Sequence, residues 1–174
     1  MKLIYIRTQF RLFSVALLIS LFCLETAQAE KCRNITTDTI RFTVLYDNYQ
    51  YEDHTKTDWG FSCHIEVDGK SILFDTGRKE SILEYNLNQY GVEAEDIDCV
   101  VISHEHADHY GGLDYILREN PDVKVYIPSC FSEKLIEKYE SAGRTILKVE
   151  KTIQLSEHVY LTGVMADFEQ SLIV

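Results

Sequence analysis

The sequence predicts a layered α/β domain, with helices covering a sheet that holds at least one strand buried on both faces. Three observations carry that prediction. Strand-like and helix-like segments alternate from residue 39 onward, and such alternation leaves helices packed over a sheet. The run "IDCVVIS" (97–103) is short, apolar and bounded by acidic residues, as a strand covered on both faces is. The stretch "FSCHIEVDGKSILFDTG" (61–77) sets Asp68-Gly69 between two alternating runs, a strong hairpin signal.

In order along the chain, "TIRFTVLY" (39–46) alternates, with Ile40, Phe42, Val44 and Tyr46 on one face and Arg41 and Thr43 on the other, as in a half-buried strand. A loop rich in charged and aromatic residues follows at 49–60. In the first strand of the hairpin, Phe61, Cys63, Ile65 and Val67 share one face, which places His64 with Ser62 and Glu66 on a face expected to meet solvent. The segment "RKESILEYNLNQYGV" (78–92) has helical spacing, with Ile82, Leu83, Leu87 and Tyr90 near one stripe and Gly91 suited to a C-terminal cap. Beyond the buried run, "GLDYILREN" (112–120) forms a short helix that "NPD" stops, and "VKVYIP" (123–128) a strand. "SEKLIEKYESAG" (132–143) reads as a helix opened by Ser132 with Glu133 in its first turn. "RTILKV" and "HVYLTG" are strands, and "EQSLIV" looks like one that has only begun.

The N-terminus has a different character. Lys2, Arg7 and Arg11 precede an apolar run at 12–24 and then Ala27-Gln28-Ala29, the order of a cleavable secretory signal. That run falls short of the roughly 20 residues of a spanning helix, so no stable membrane anchor is expected. Bulky Phe22 before Cys23 is a poor context for a lipidated cysteine. The expected organisation is a signal peptide at 1–29 and one domain at 30–174, exported to the periplasm or the extracellular space.

Taking the 3 basic residues and Glu25 of that signal from totals of 17 basic and 28 acidic leaves 14 against 27, a formal charge of −13. Such a surface repels nucleic acid and anionic lipid. A small-molecule substrate is expected instead, drawn in, if anionic, by a local positive centre such as a metal. Cys32, Cys63, Cys99 and Cys130 match no zinc-ribbon spacing; Cys63 and Cys99 lie among strand-like apolar residues and read as buried thiols, and the pairing of all four stays open.

The stretch "VISHEHADHYGGL" (101–113) carries the chemistry. His104 and His106 are two apart, so their rings point the same way as the chain leaves a strand. Asp108 and His109 are adjacent, and a turn there aims both at a neighbouring point, with Gly111-Gly112 allowing the backbone to turn closely. Imidazole and carboxylate donors bind zinc at about 2.0 to 2.2 Å, so such ligands must converge. One strand-end loop can thus offer His104 and His106 to one metal and Asp108 and His109 to a second.

"HEHADH" resembles the HxHxDH signature of the metallo-β-lactamase superfamily. The likeness extends through "LYDN", "DWGFSCHIEVDGKSILFDTG", the helix containing Asn86, "DIDCVVISHEHADHYGGL" and "VYLTG" to the subgroup of metal-dependent hydrolases related to dihydropterin and ribofuranosylaminobenzene-phosphate synthases. The resemblance implies that residues 30–174 form the N-terminal half of an αββα metallo-β-lactamase sandwich. It implies metal ligation by His104, His106, Asp108 and His109, a catalytic role for Asp108, and Asp75 holding the ligand loop from behind. Asn48, Trp59 and Tyr110 lie in loops that either line the substrate side or pack. The implied cofactor is a divalent metal, Zn2+ first, with Fe or Mn as alternatives and two sites in the complete family. The implied reaction is attack of a metal-bound hydroxide on an ester, phosphoester or lactone-like substrate.

The sequence departs from that family in length. Family members continue into a second half that brings a histidine to the first metal, a bridging aspartate, and a histidine to the second. After His109 the chain has only His158, in "SEHVYLTG", which matches no ligand motif and reads as a surface residue. Four ligands shared by two metals leave each with two, where a catalytic zinc has three plus water. The sheet face that packs on the second half is expected to stay open and to favour self-association or a complementing C-terminal half. The alternative is a catalytically silent metal-binding or interaction module.

Overall fold

The hairpin sets the order of the main sheet. In the computed structural model, which describes residues 39–166 and 168–174 within the unit Asp38–Val174, strand β1 (Arg41–Tyr46) pairs antiparallel with β2 (Ser62–Val67). β2 turns at Asp68-Gly69 into antiparallel β3 (Lys70–Phe74). β4 (Cys99–Val101), β5 (Lys124–Pro128) and β6 (Thr145–Val149) then add in parallel, in the order β1-β2-β3-β4-β5-β6. Parallel neighbours need crossovers. Helix α1 (Glu80–Tyr90) and a short 3-10 turn (Ala94–Asp96) join β3 to β4; α2 (Ala107–Tyr110) and α3 (Leu113–Glu119) join β4 to β5; α4 (Glu133–Glu140) joins β5 to β6. The expected signal segment and Cys32 lie outside the described residues. Among the described residues no helix is long and apolar enough to cross a membrane.

A second, antiparallel sheet follows: β7 (Lys151–Gln154), β8 (Tyr160–Gly163) and β9 (Leu172–Ile173), in the order β7-β8-β9. β7 was not expected from the sequence, because its four residues are all exposed and carry no apolar alternation. The two faces of the main sheet feed two cores. Leu73, Val100 and Val125 pack with Leu83 and Leu87 of α1, Ile116 of α3 and Ile136 of α4. Cys63, Ile65, Ile72 and Val101 pack with Val159 and with Leu161 of β8. The layers are therefore helices, a six-stranded sheet and a three-stranded sheet, which is the α/β half-sandwich expected.

Gly91 ends α1 with φ +66° and its amide N–H donating to Asn88, the left-handed cap expected. Two expectations for burial fail. Phe42 and Val44 stand opposite Ile65 and Cys63, yet Phe42 is 58% and Val44 46% exposed, and Ile40 is exposed too. The three-stranded sheet does not cover the edge strand. A register shift between Val44 and Tyr46 breaks the alternation, so that Leu45 and Tyr46 are both buried. His64, expected in solvent, is 5% exposed with Nε2 2.8 Å from Ser71 Oγ. Its strand is covered on both faces, and burial pushes the ring pKa below its ordinary value.

The hairpin turn also ties the sheets together. Asp68, at φ +53°, accepts hydrogen bonds from His158 Nδ1 at 2.7 Å, Ser156 Oγ at 2.7 Å and the His158 backbone N–H at 2.8 Å. Those bonds bring its pKa from 3.8 down to about 2. Of the cysteines, Cys63 is buried, Cys99 half-buried and Cys130 exposed, all as free thiols; burial pushes the Cys99 thiol up to about 12.

Candidate functional site

The histidine cluster leaves the carboxyl end of β4, beside the carboxyl end of β3, where open α/β sheets place their ligands. Asp75, the first residue after β3, is 1% exposed and sits at φ +57°, a left-handed conformation that aspartate tolerates better than most residues. Its own N–H donates to Val101 O at 2.8 Å, which fixes the two strand ends side by side. Its Oδ1 accepts the Ser103 N–H at 2.7 Å, and its Oδ2 accepts the Ser103 hydroxyl at 2.7 Å and lies 2.7 Å from His109 Nδ1. The residue expected to hold the ligand loop from behind thus touches both its start and its end.

Backbone contacts complete the cradle. Thr76 donates to His109 O from its N–H at 2.7 Å and its hydroxyl at 3.0 Å, and Phe61 N–H donates to Asp108 O at 3.3 Å. The Gly111-Gly112 pair works differently from the expected turn. Both have ordinary right-handed φ values, −62° and −86°, and a Cβ at Gly112 would collide with the Thr76 carbonyl. Absence of a side chain, not backbone freedom, is what the site needs there. Gly60 does adopt φ +142° and presses against the Asp108 carbonyl, with its N–H donating to Asn48 Oδ1 at 2.8 Å.

The four predicted ligands come together as two pairs. His104 Nε2 and His106 Nδ1 face each other at 3.0 Å. Asp108 Oδ2 and His109 Nε2 lie 3.8 Å apart, and the rings of His104 and His109 are 4.1 Å apart between centroids. Imidazole nitrogen with carboxylate oxygen is a donor set that suits zinc and its neighbours. Among the described residues no group of three or more His, Cys, Asp or Glu is arranged to hold a metal ion. The donors fit a divalent metal in kind and in facing, two at a time.

Electrostatics separate the rings. Burial, then the neighbouring His109 and His106 outweighing Asp75 and Asp108, holds the His104 pKa below its ordinary value. Burial also opposes charge on His109, but the hydrogen bond and charge of Asp75, with Asp108, outweigh it and raise that pKa. His158 is elsewhere, in the turn between β7 and β8, bonded to Asp68 of the hairpin turn that precedes β3, whereas Asp75 follows β3. Of the loop residues, Tyr110 packs against the helix-side core, Asn48 holds the Gly60 backbone, and Trp59 is 62% exposed.

Two contributors escaped the sequence reading. Ser103 bridges Asp75 and His104, with its Oγ 2.8 Å from His104 Nδ1. Glu105, between the two histidines, accepts hydrogen bonds from the N–H and hydroxyl of Ser132 at the start of α4. Neither has a signal beyond its place in "SHEHADH", because its partner is distant in sequence.

A profile of the Metallo-beta-lactamase superfamily matches residues 62–132. An uncharacterised protein of Methanocaldococcus jannaschii is 33% identical over 111 residues, 64% of this chain and 41% of that one. The 7,8-dihydropterin-6-methyl-4-(beta-D-ribofuranosyl)-aminobenzene-5'-phosphate synthase of the same organism is 32% identical over 95 residues, 51% of this chain and 32% of that one. The fold is similar to that of a quorum-quenching N-acyl homoserine lactone lactonase, with a TM-score of 0.52, 20% identity, and coverage of 64% of this chain and 54% of that one. The chain spans less than half the length of both Methanocaldococcus relatives.

Proposed function

The chain contains a metallo-β-lactamase superfamily segment at residues 62–132, and from that premise we propose that it is one half-site of a metal-dependent hydrolase acting on an ester, phosphoester or lactone-like substrate. The supporting observation is the facing of the donor pairs, His104 Nε2 with His106 Nδ1 and Asp108 Oδ2 with His109 Nε2, over the buried Asp75. In this reading His104 and His106 hold one divalent metal, Zn2+ first, and Asp108 and His109 a second, with Asp108 beside the reacting atoms. A bound metal supplies Lewis acidity and a water acidic enough to ionise near neutral pH. Asp75 orients His109 and raises its basicity, as a carboxylate behind a ligand histidine does. The ring of Phe168 stands edge-on to His104 at 5.9 Å and sets one apolar contact beside the donors.

Two donors per metal support weak binding by this chain and completion by a C-terminal half, whether a partner or a second segment. The same count favours a second reading, a metal-binding module with no turnover of its own. Export to the periplasm or extracellular space is the proposed location, supported by the order of charges and apolar residues in 1–29. Elemental analysis and Zn2+ titration of the purified chain test the proposal. Weak binding that disappears in both His104→Ala and Asp108→Ala is expected, with slow or no hydrolysis of aryl esters, aryl phosphodiesters and acyl lactones. Binding unchanged in both variants would overturn the site; robust turnover with two tightly held metals would overturn the half-site.

A further inference from the structure

We infer that Ser103 is a positioning residue that fixes which nitrogen of His104 carries its proton, so that the one carboxylate of Asp75 presets both His104 and His109 as ligands. The use made of this at a metal rests on the function proposed above; the proton placement stands on the geometry itself.

Counting donors decides the placement. As a carboxylate Asp75 can only accept, and its Oδ1 is taken by the Ser103 backbone N–H. The Ser103 hydroxyl has one hydrogen and three neighbours, Asp75 Oδ2 at 2.7 Å, His104 Nδ1 at 2.8 Å and, more distant, His109 Nδ1 at 3.4 Å, whose own hydrogen is directed to Asp75. That hydrogen goes to the carboxylate, the stronger, charged acceptor. Ser103 Oγ then offers His104 only lone pairs, so Nδ1 of His104 must be the donor. In a neutral imidazole the other nitrogen is left with a lone pair. That nitrogen, Nε2, is the one facing His106 at 3.0 Å.

His109 reaches the same state without an intermediary. Its Nδ1 lies 2.7 Å from Asp75 Oδ2, which leaves the lone pair on Nε2, the atom facing Asp108 at 3.8 Å. A metal needs unprotonated nitrogens. Asp75 thus aims one lone pair from each ring into the cluster, directly for His109 and through a hydroxyl for His104. Asp75 and Ser103 are both buried, so water does not readily replace the relay. An isolated histidine side chain in water prefers its proton on Nε2, which the Ser103 contact reverses.

The test reads proton position without metal. Long-range 1H–15N spectra of the 15N-labelled, metal-free full chain at alkaline pH distinguish a proton on Nδ1 from one on Nε2. Both His104 and His109 are expected to carry it on Nδ1. In Ser103→Ala, His104 moves toward the Nε2-protonated form while His109 does not, and Zn2+ affinity falls about 10- to 100-fold. Ser103→Thr, which keeps the hydroxyl, restores both readings. A proton on His104 Nε2 in the unsubstituted chain refutes the relay, as does a His104 unaffected in Ser103→Ala. Should Ser103→Ala fail to fold, the unsubstituted spectrum still decides. A chain that shows the expected proton positions but binds no Zn2+ supports the relay and refutes the metal reading.

Discussion

Asp68 carries two tasks on one side chain. Its backbone makes the tight turn that the Asp-Gly pair announces, and its carboxylate takes three hydrogen bonds from Ser156 and His158. Because the folded pKa, about 2, lies below the ordinary 3.8, the group favours the folded state fully above the ordinary value. That contribution is lost as pH falls from about 4 toward 2. Urea midpoints followed across this window should drop more steeply for the unsubstituted chain than for Asp68→Asn; parallel curves would show that the turn gains nothing from the charge. His64 shows the opposite case at the same scale, a histidine whose charged form burial disfavours and whose ring is satisfied by Ser71.

At the scale of elements, α4 and the histidine loop stabilise each other. Ser132 opens α4 as expected, and its hydroxyl and N–H both donate to Glu105. The helix N-terminus, with its exposed amide donors and positive dipole end, is a favourable place for that carboxylate. Loss of a cap costs about 1 kcal/mol, so Glu105→Ala should lower stability by about that amount in urea unfolding and should weaken Zn2+ binding through a looser loop. An unchanged urea midpoint would mean that solvent serves the helix end equally well. Asn86 joins elements in the same manner from inside α1: its amide N–H groups donate to Leu45 O at 2.6 Å and Lys56 O at 2.8 Å, and its Oδ1 accepts from Lys56 N–H at 2.8 Å. A buried polar group so fully paired leaves donors and acceptors unmet when truncated, at about 1 to 3 kcal/mol. Asn86→Ala should therefore destabilise the chain while leaving His104 and His109 protonated as before, which the spectra described above would reveal.

Across the whole molecule, two sheets of unequal width meet. Among the described residues six strands face three, and the apolar side of β1, with Phe42 and Val44 and with Ile40 just before the strand, projects past the smaller sheet into solvent. Ile173 of β9 and Phe168 are exposed as well. Exposed apolar surface of this kind favours association. Sedimentation velocity should show the chain associating as concentration rises, and Phe42→Lys should reduce it; a monomer at every concentration would refute this expectation.

What could be read from the sequence is what neighbours in sequence decide. The Asp68-Gly69 hairpin, the Gly91 cap, the apolar strand at 99–101 and the pairing of His104 with His106 and of Asp108 with His109 all follow from local spacing and turn chemistry. The α/β class follows from their alternation. Tertiary structure alone decided the rest, because burial depends on what lies opposite. Phe42 and Val44 alternate as buried residues do but meet no second sheet, and His64 alternates as a surface residue but is covered. Asp75 with Ser103, Glu105 with Ser132 and Asp68 with His158 are 27 or more residues apart. Only the packing of strand ends and helix starts brings such groups within hydrogen-bonding reach, and no local pattern records it.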